Sequence, residues 1–125
     1  MKFNEVMHLS FYTEQLDVMR DFYENKLGLK AKIIMRYEAY KGQKERGAWA
    51  QRAKTRPHDI AYIFIELAPG QYLELFPKGD GQLEHEIPDT RLGYSHFALM
   101  VDDIHVAREE LVKAGVEIDI EPNKG

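Results

Sequence analysis

Gly93-Tyr94-Ser95-His96-Phe97-Ala98-Leu99-Met100-Val101-Asp102-Asp103-Ile104 decides how the rest of the chain is read. It has the pattern of a strand that ends in two aspartates and runs into a helix. Successive side chains of a strand point to opposite faces, so Ser95, Phe97, Leu99 and Val101 share one face and Tyr94, His96, Ala98 and Met100 the other. The first face is mostly apolar and calls for a helix against it. The second carries an imidazole among smaller and polar groups, which suits the wall of a cavity. Asp103 is placed to cap the following helix by accepting from its free N–H groups.

The pattern occurs once more near the start, at Met7-His8-Leu9-Ser10-Phe11-Tyr12-Thr13, again ahead of a helical stretch that closes in Leu-Gly. With His8 set on His96, Leu16 falls on Ile104, Val18 on Val106 and Arg20 on Arg108 without a gap, and one skipped residue brings Gly28 onto Gly115. The offset is far too long for a solenoid repeat. It reads as two copies of one supersecondary module.

Around these two anchors the remaining elements fall into place. The strand Val6–Tyr12 has Met7, Leu9 and Phe11 on its apolar face and Val6, His8, Ser10 and Tyr12 opposite. Leu16, Met19, Phe22, Tyr23 and Leu27 follow at helical spacing, with Gly28 where a left-handed helix terminus is wanted. Lys30–Tyr40 is read as a strand. Ile60–Leu67 and Gln71–Phe76 are two more, joined by the hairpin signal Ala68-Pro69-Gly70. After the second copy's strand, Ile104, Ala107, Leu111 and Ala114 form one helical stripe, Gly115 stops the helix, and Val116–Ile120 is a last short strand. The expected fold is therefore α+β: a βαβββ module over about residues 1–78, a linker over about 79–92, and a partial βαβ module over about 93–125, together one domain.

Residues 41–59 read as the least structured part. Lys41, Lys44, Arg46, Arg52, Lys54 and Arg56 make them basic, with Gly42, Gly47 and Pro57 as breakers. They fit either a solvated loop or a lid that offers cations to an anionic substrate, with Trp49 closing over the pocket.

Composition narrows the classes. A chain of 125 residues is one domain by length and can bury a core without staples. The sequence has no cysteine, which excludes disulfide scaffolds, thiolate metal sites and cysteine nucleophiles and fits a cytoplasmic protein. No apolar run reaches membrane-spanning length and no signal-peptide core is present. A net charge of −4 gives no reason to expect nucleic acid or an anionic membrane as partner.

The residues that carry chemistry lie in Met7-His8-Leu9, Phe22-Tyr23-Glu24-Asn25-Lys26-Leu27-Gly28-Leu29, Tyr72-Leu73-Glu74-Leu75-Phe76 and the 93–103 stretch. In order, spacing and internal repetition they resemble the vicinal-oxygen-chelate group: glyoxalase I, extradiol dioxygenases, methylmalonyl-CoA epimerase, and bleomycin and fosfomycin resistance proteins. Glyoxalase I-like members are the nearest. The resemblance implies paired βαβββ modules around a cavity, with metal ligands on the first and last strand of each module. It places them on His8, Glu74 and His96. The group's fourth ligand follows an Asp-Pro-Asp-Gly-Asn-like turn on an eighth strand, and this sequence has neither. The end at Gly125, inside an expected turn, points to a fragment of a longer protein.

Two neutral imidazoles and a carboxylate suit Zn, Ni, Fe(II), Co or Mn, and strand parity puts all three on the face opposite the apolar one. Three protein ligands leave positions open for substrate oxygens. The resemblance further implies that Glu74 serves as ligand and as proton-moving base. By parity Glu66 faces the same cavity and is a candidate to support Glu74, and Tyr12, Tyr62, Tyr72 and Tyr94 fit either the pocket lining or plain strand packing. His58, His85 and His105 read as surface residues.

Three functions compete. The first is a metal-dependent isomerase or lyase of glyoxalase I type, acting through an enediolate on a small substrate with adjacent oxygens, an anion where the basic stretch serves as its lid. The second is an Fe(II) dioxygenase. The third is a metal-free binding or resistance protein. A truncated second module exposes a strand edge, so a homodimer is expected.

Overall fold

Which residues become strand is decided by alternation, and the alternation is clear in the middle of the chain. In the computed structural model, which describes residues 1–84 and 92–124, four strands form: β1 (His8–Thr13), β2 (Lys30–Arg36), β3 (Ile60–Ala68) and β4 (Gln71–Pro77). With helices α1 (Leu16–Arg20), α2 (Ala48–Thr55) and α3 (Ile104–Lys113) the fold is α+β. The chain divides into two units, Met1–Lys78 and Gly79–Gly125.

In the first unit the strands make one sheet in the order β1-β4-β3-β2. β3 and β4 are an antiparallel hairpin, and Gly70 takes the positive φ of 74° that the second position of a Pro-Gly turn requires. β2 pairs antiparallel with β3. β1 enters beside β4 in parallel, His8 opposite Tyr72 and Ser10 opposite Glu74. A parallel neighbour needs a long connection, and everything between β1 and β4 supplies it.

One face of this sheet is the core. Ile63, Ile65, Leu73 and Leu75 are fully buried, at about 1.5–3 kcal/mol each relative to exposure. Phe11 of β1 and Leu16, Met19, Phe22, Tyr23 and Leu27 of the following helix pack against them. The expected helix over residues 16–27 is present but changes its winding. After Arg20 it widens into a π-helical segment, Asp21–Lys26, whose end is marked by the 2.9 Å bond from Leu27 N to Phe22 O. Arg20 and Glu24 pair across one turn at 2.7 Å, and the hydrogen bond that Arg20 donates to the Glu24 carboxylate holds its guanidinium above its usual pKa.

The basic stretch differs from the open loop the sequence suggested. Residues 48–55 are helix α2, reached through two short 3-10 turns, Tyr37–Tyr40 and Lys44–Arg46. The strand expected over residues 30–40 accordingly ends at Arg36. Charge count is a poor guide here because Tyr37, Tyr40, Ala53 and Ala61 form a second buried cluster, with Met35, Trp49 and Tyr62 against it. The aromatic side chains pack inward, Lys41, Lys54 and Arg46 stay exposed, and Arg52 and Arg56 are half-buried.

In the second unit the helix forms as its sequence predicts. Asp103 is the N-cap, accepting from His105 N at 2.9 Å and Val106 N at 3.2 Å. Gly115 ends it at φ 83°. Ala107, Leu111 and Ala114 lie on its less exposed side. The two strands expected beside it do not form: among the described residues of this unit, neither the stretch after Gly93 nor Val116–Ile120 has ladder pairing. Alternation marks a segment as able to be a strand, but only a hydrogen-bonded neighbour makes it one. Instead, the tail is tied to α3 by Arg108, which donates to both Glu121 oxygens, through Nη2 at 2.8 Å. Half of the expected linker, residues 85–91 with His85, lies outside the described residues. Among the described residues no helix is long and apolar enough to cross a membrane.

Candidate functional site

The face of the first unit's sheet opposite the core carries the candidate chemistry, as alternation requires. β1 presents His8, Ser10 and Tyr12 there; β4 presents Tyr72, Glu74 and Phe76; β3 presents Tyr62, Phe64 and Glu66. Parallel pairing of β1 with β4 brings two of the expected metal ligands together. His8 Nε2 lies 3.7 Å from Glu74 Oε1. The Glu74 side chain is only 12% exposed and that of His8 is 38% exposed. Ser10, directly opposite Glu74 in the register, donates its hydroxyl to the same Oε1 at 2.8 Å. Both contacts fall on one oxygen, so Oε2 is left to face a further partner.

Aromatic rings frame this pair. The His8 ring meets Phe64 edge-on, with centroids 5.3 Å apart, and Phe64 meets Tyr72 at 5.9 Å and Tyr62 at 5.6 Å. Farther along the strands, Tyr12 stacks on Phe76 at 5.1 Å. Trp49 of α2 closes the row against Tyr62 at 5.8 Å and Phe76 at 5.9 Å. Of the tyrosines expected around the pocket, Tyr12, Tyr62 and Tyr72 are therefore on this wall, and Tyr94 belongs to the second unit. Burial and the neighbouring Tyr62 hydroxyl, 3.4 Å away, push the Tyr40 phenol up to about 12. Arg46 lies over the Tyr40 ring, and Arg52 and Arg56 over Tyr37. Cations of the basic stretch thus rest on aromatic faces.

Other expected roles resolve differently. Glu66 shares the face with Glu74, but its nearest charge is Lys32 Nζ at 3.9 Å. His58 is exposed, 3.4 Å from Glu38, and His105 is exposed on α3. His96 stands in the second unit, where Ser95 Oγ lies 2.9 Å from its Nδ1. Among the described residues no three His, Asp or Glu side chains gather closely enough to hold one metal ion. The His8–Glu74 pair nevertheless fits as part of a ligand set. Two donors bound at about 2.1 Å to one ion sit roughly 3.0–3.5 Å apart, close to the separation observed, and imidazole with carboxylate suits divalent transition metals. Sequence reading did not assign Ser10 or Phe64 a role. Their signal was parity: both share a face with Glu74.

Residues 5–125 match the profile of the Glyoxalase/Bleomycin resistance protein/Dioxygenase superfamily. No curated protein matches the chain. Among solved structures, an integron cassette protein from the mobile metagenome of Vibrio cholerae is similar, at 22% identity and a TM-score of 0.58, over 98% of this chain and 77% of that one. The protein SMU.1112c is similar at 18% identity and a TM-score of 0.52, over 98% of this chain and 84% of that one. At these identities the structures speak to the fold alone. With the profile spanning nearly the whole chain, the protein belongs to the glyoxalase/bleomycin resistance protein/dioxygenase superfamily.

Proposed function

We propose that the protein is a metal-dependent isomerase or lyase of glyoxalase I type, moving a proton between neighbouring carbons of a small substrate with adjacent oxygens. The observation that carries this reading is the 3.7 Å approach of His8 to a nearly buried Glu74 held by Ser10. His8 and Glu74 would hold the metal, with His96 as third donor from the same chain or from the second copy of a homodimer. When bound, a divalent metal supplies a Lewis acid for negative charge on adjacent substrate oxygens.

This chain's own residues do the rest. A carboxylate withdrawn from water and aimed across an aromatic wall is suited to take a proton from carbon and return it to the next carbon. The Ser10 hydroxyl fixes the carboxylate's orientation. Phe64 packs edge-on against His8 and shields one side of its ring, with Tyr72 behind Phe64.

The test is proton exchange and metal content measured together. Protein reconstituted with Zn, Ni, Co, Mn or Fe(II) should bind one ion per site, and its substrate should exchange the carbon-bound proton with D2O by NMR. Glu74→Gln should abolish that exchange. Absence of stoichiometric metal after careful reconstitution refutes the reading. The row of rings from Phe64 to Trp49 favours a second reading, a metal-free binding protein that takes planar ligands by stacking. Saturable binding unaffected by chelator would select it.

A further inference from the structure

At the other end of the first unit's sheet from His8, where β1, β2 and β4 finish and β3 begins, lies a cavity of about 340 Å³. It sits some four strand residues past Glu74, roughly 13 Å along β4, and does not include the His8–Glu74 pair. Arg36, Arg56 and Lys78 supply three cations to its walls, and Asp59 one carboxylate. The lining residues thus carry three positive charges against one negative, and Glu14, beside Lys78, offsets one more.

Two of the three cations are held in place. Arg36 Nη1 donates to the His58 carbonyl at 2.7 Å, which leaves the rest of its fork for another acceptor. The Arg56 guanidinium lies over the Tyr37 ring, 5.8 Å from its centroid. Lys78 pairs with Glu14 at 3.6 Å, both about half exposed, an arrangement that contributes little and yields readily to a better anion. Guanidinium forks match the oxygens of phosphate, and a fixed fork loses little freedom on binding. Leu16, Ile60 and Pro77 give the same cavity an apolar side, and its size is in the range of small-ligand pockets.

We propose that this cavity binds a small organic phosphate, its dianionic head held by Arg36, Arg56 and Lys78 and its apolar body laid against Leu16 and Ile60. The assignment does not depend on the metal site. It is tested on chelator-treated protein by calorimetric titration with inorganic phosphate, phenyl phosphate and benzoate at low ionic strength. Phenyl phosphate should bind saturably, more tightly than inorganic phosphate and at least about tenfold more tightly than benzoate. Lys78→Gln and Arg36→Gln, each checked for an unchanged circular dichroism spectrum, should weaken it by roughly five- to tenfold, and Glu74→Gln should leave it unchanged. Benzoate binding as tightly as phenyl phosphate would overturn the dianion assignment. No saturable phosphate binding, or binding indifferent to both substitutions, would overturn the site.

Discussion

Replacing Ser10 with alanine isolates what the hydroxyl does for Glu74. The bond is 2.8 Å long and its acceptor is a carboxylate whose side chain is 12% exposed. A hydrogen bond to a charged group contributes about 1.5–3 kcal/mol. Ser10 itself is exposed, so water replaces part of the loss and a value at or just below the lower end, about 1–1.5 kcal/mol, is expected for the metal-free protein. The effect on metal binding should be larger than on folding. A group that orients a ligand from behind typically changes affinity by about 10–100-fold when removed, because the carboxylate must then be ordered at the expense of binding. The assay is competition of Zn against a chromophoric chelator for wild type, Ser10→Ala and Ser10→Thr. Affinity should fall by at least about tenfold in the alanine variant and recover in the threonine variant, which keeps a hydroxyl and suits a strand. Equal affinities in all three proteins would refute the idea that Ser10 positions Glu74 for a metal.

Leu73→Ala, at a fully buried position of β4, should cost about 3 kcal/mol in denaturant unfolding; a loss below about 1 kcal/mol would mean that the sheet's core face is not packed as described. With its phenol pushed up to about 12 in the fold against roughly 10 when unfolded, Tyr40 contributes stability that is complete below pH 10 and lost as pH rises through about 12; Tyr40→Phe should flatten that decline in alkaline unfolding curves. His96→Ala should sharply lower the metal content of reconstituted protein by elemental analysis, since it removes the proposed third donor. Light scattering at micromolar concentration should give the mass of a homodimer, and a monomer would sink the proposed pairing of two copies.

The first unit was largely legible in the sequence, because the information there is local. Alternation in residues 60–76 and the Pro69-Gly70 turn specify a hairpin with one buried face. The same period of two fixes that His8 and Glu74 lie away from Leu73 and Leu75. What the sequence could not contain is the partner of each strand. That β1 lies beside β4 rather than β2 is a long-range choice, and it alone turns two residues 66 positions apart into a pair 3.7 Å apart. The basic stretch departs from an open loop for the same reason: its charges are visible locally, but the aromatic cluster that folds Trp49 onto Tyr62 and Phe76 exists only once the sheet is there. In the second unit, capping by Asp103 and the stop at Gly115 are short-range and follow from sequence. The strands expected around His96 and at Val116–Ile120 needed neighbours, and alternation cannot supply a hydrogen-bonding partner. Sequence by itself determined which faces are apolar and which side chains could do chemistry; tertiary structure decided which of them meet, because strand pairing satisfies backbone groups that are far apart along the chain.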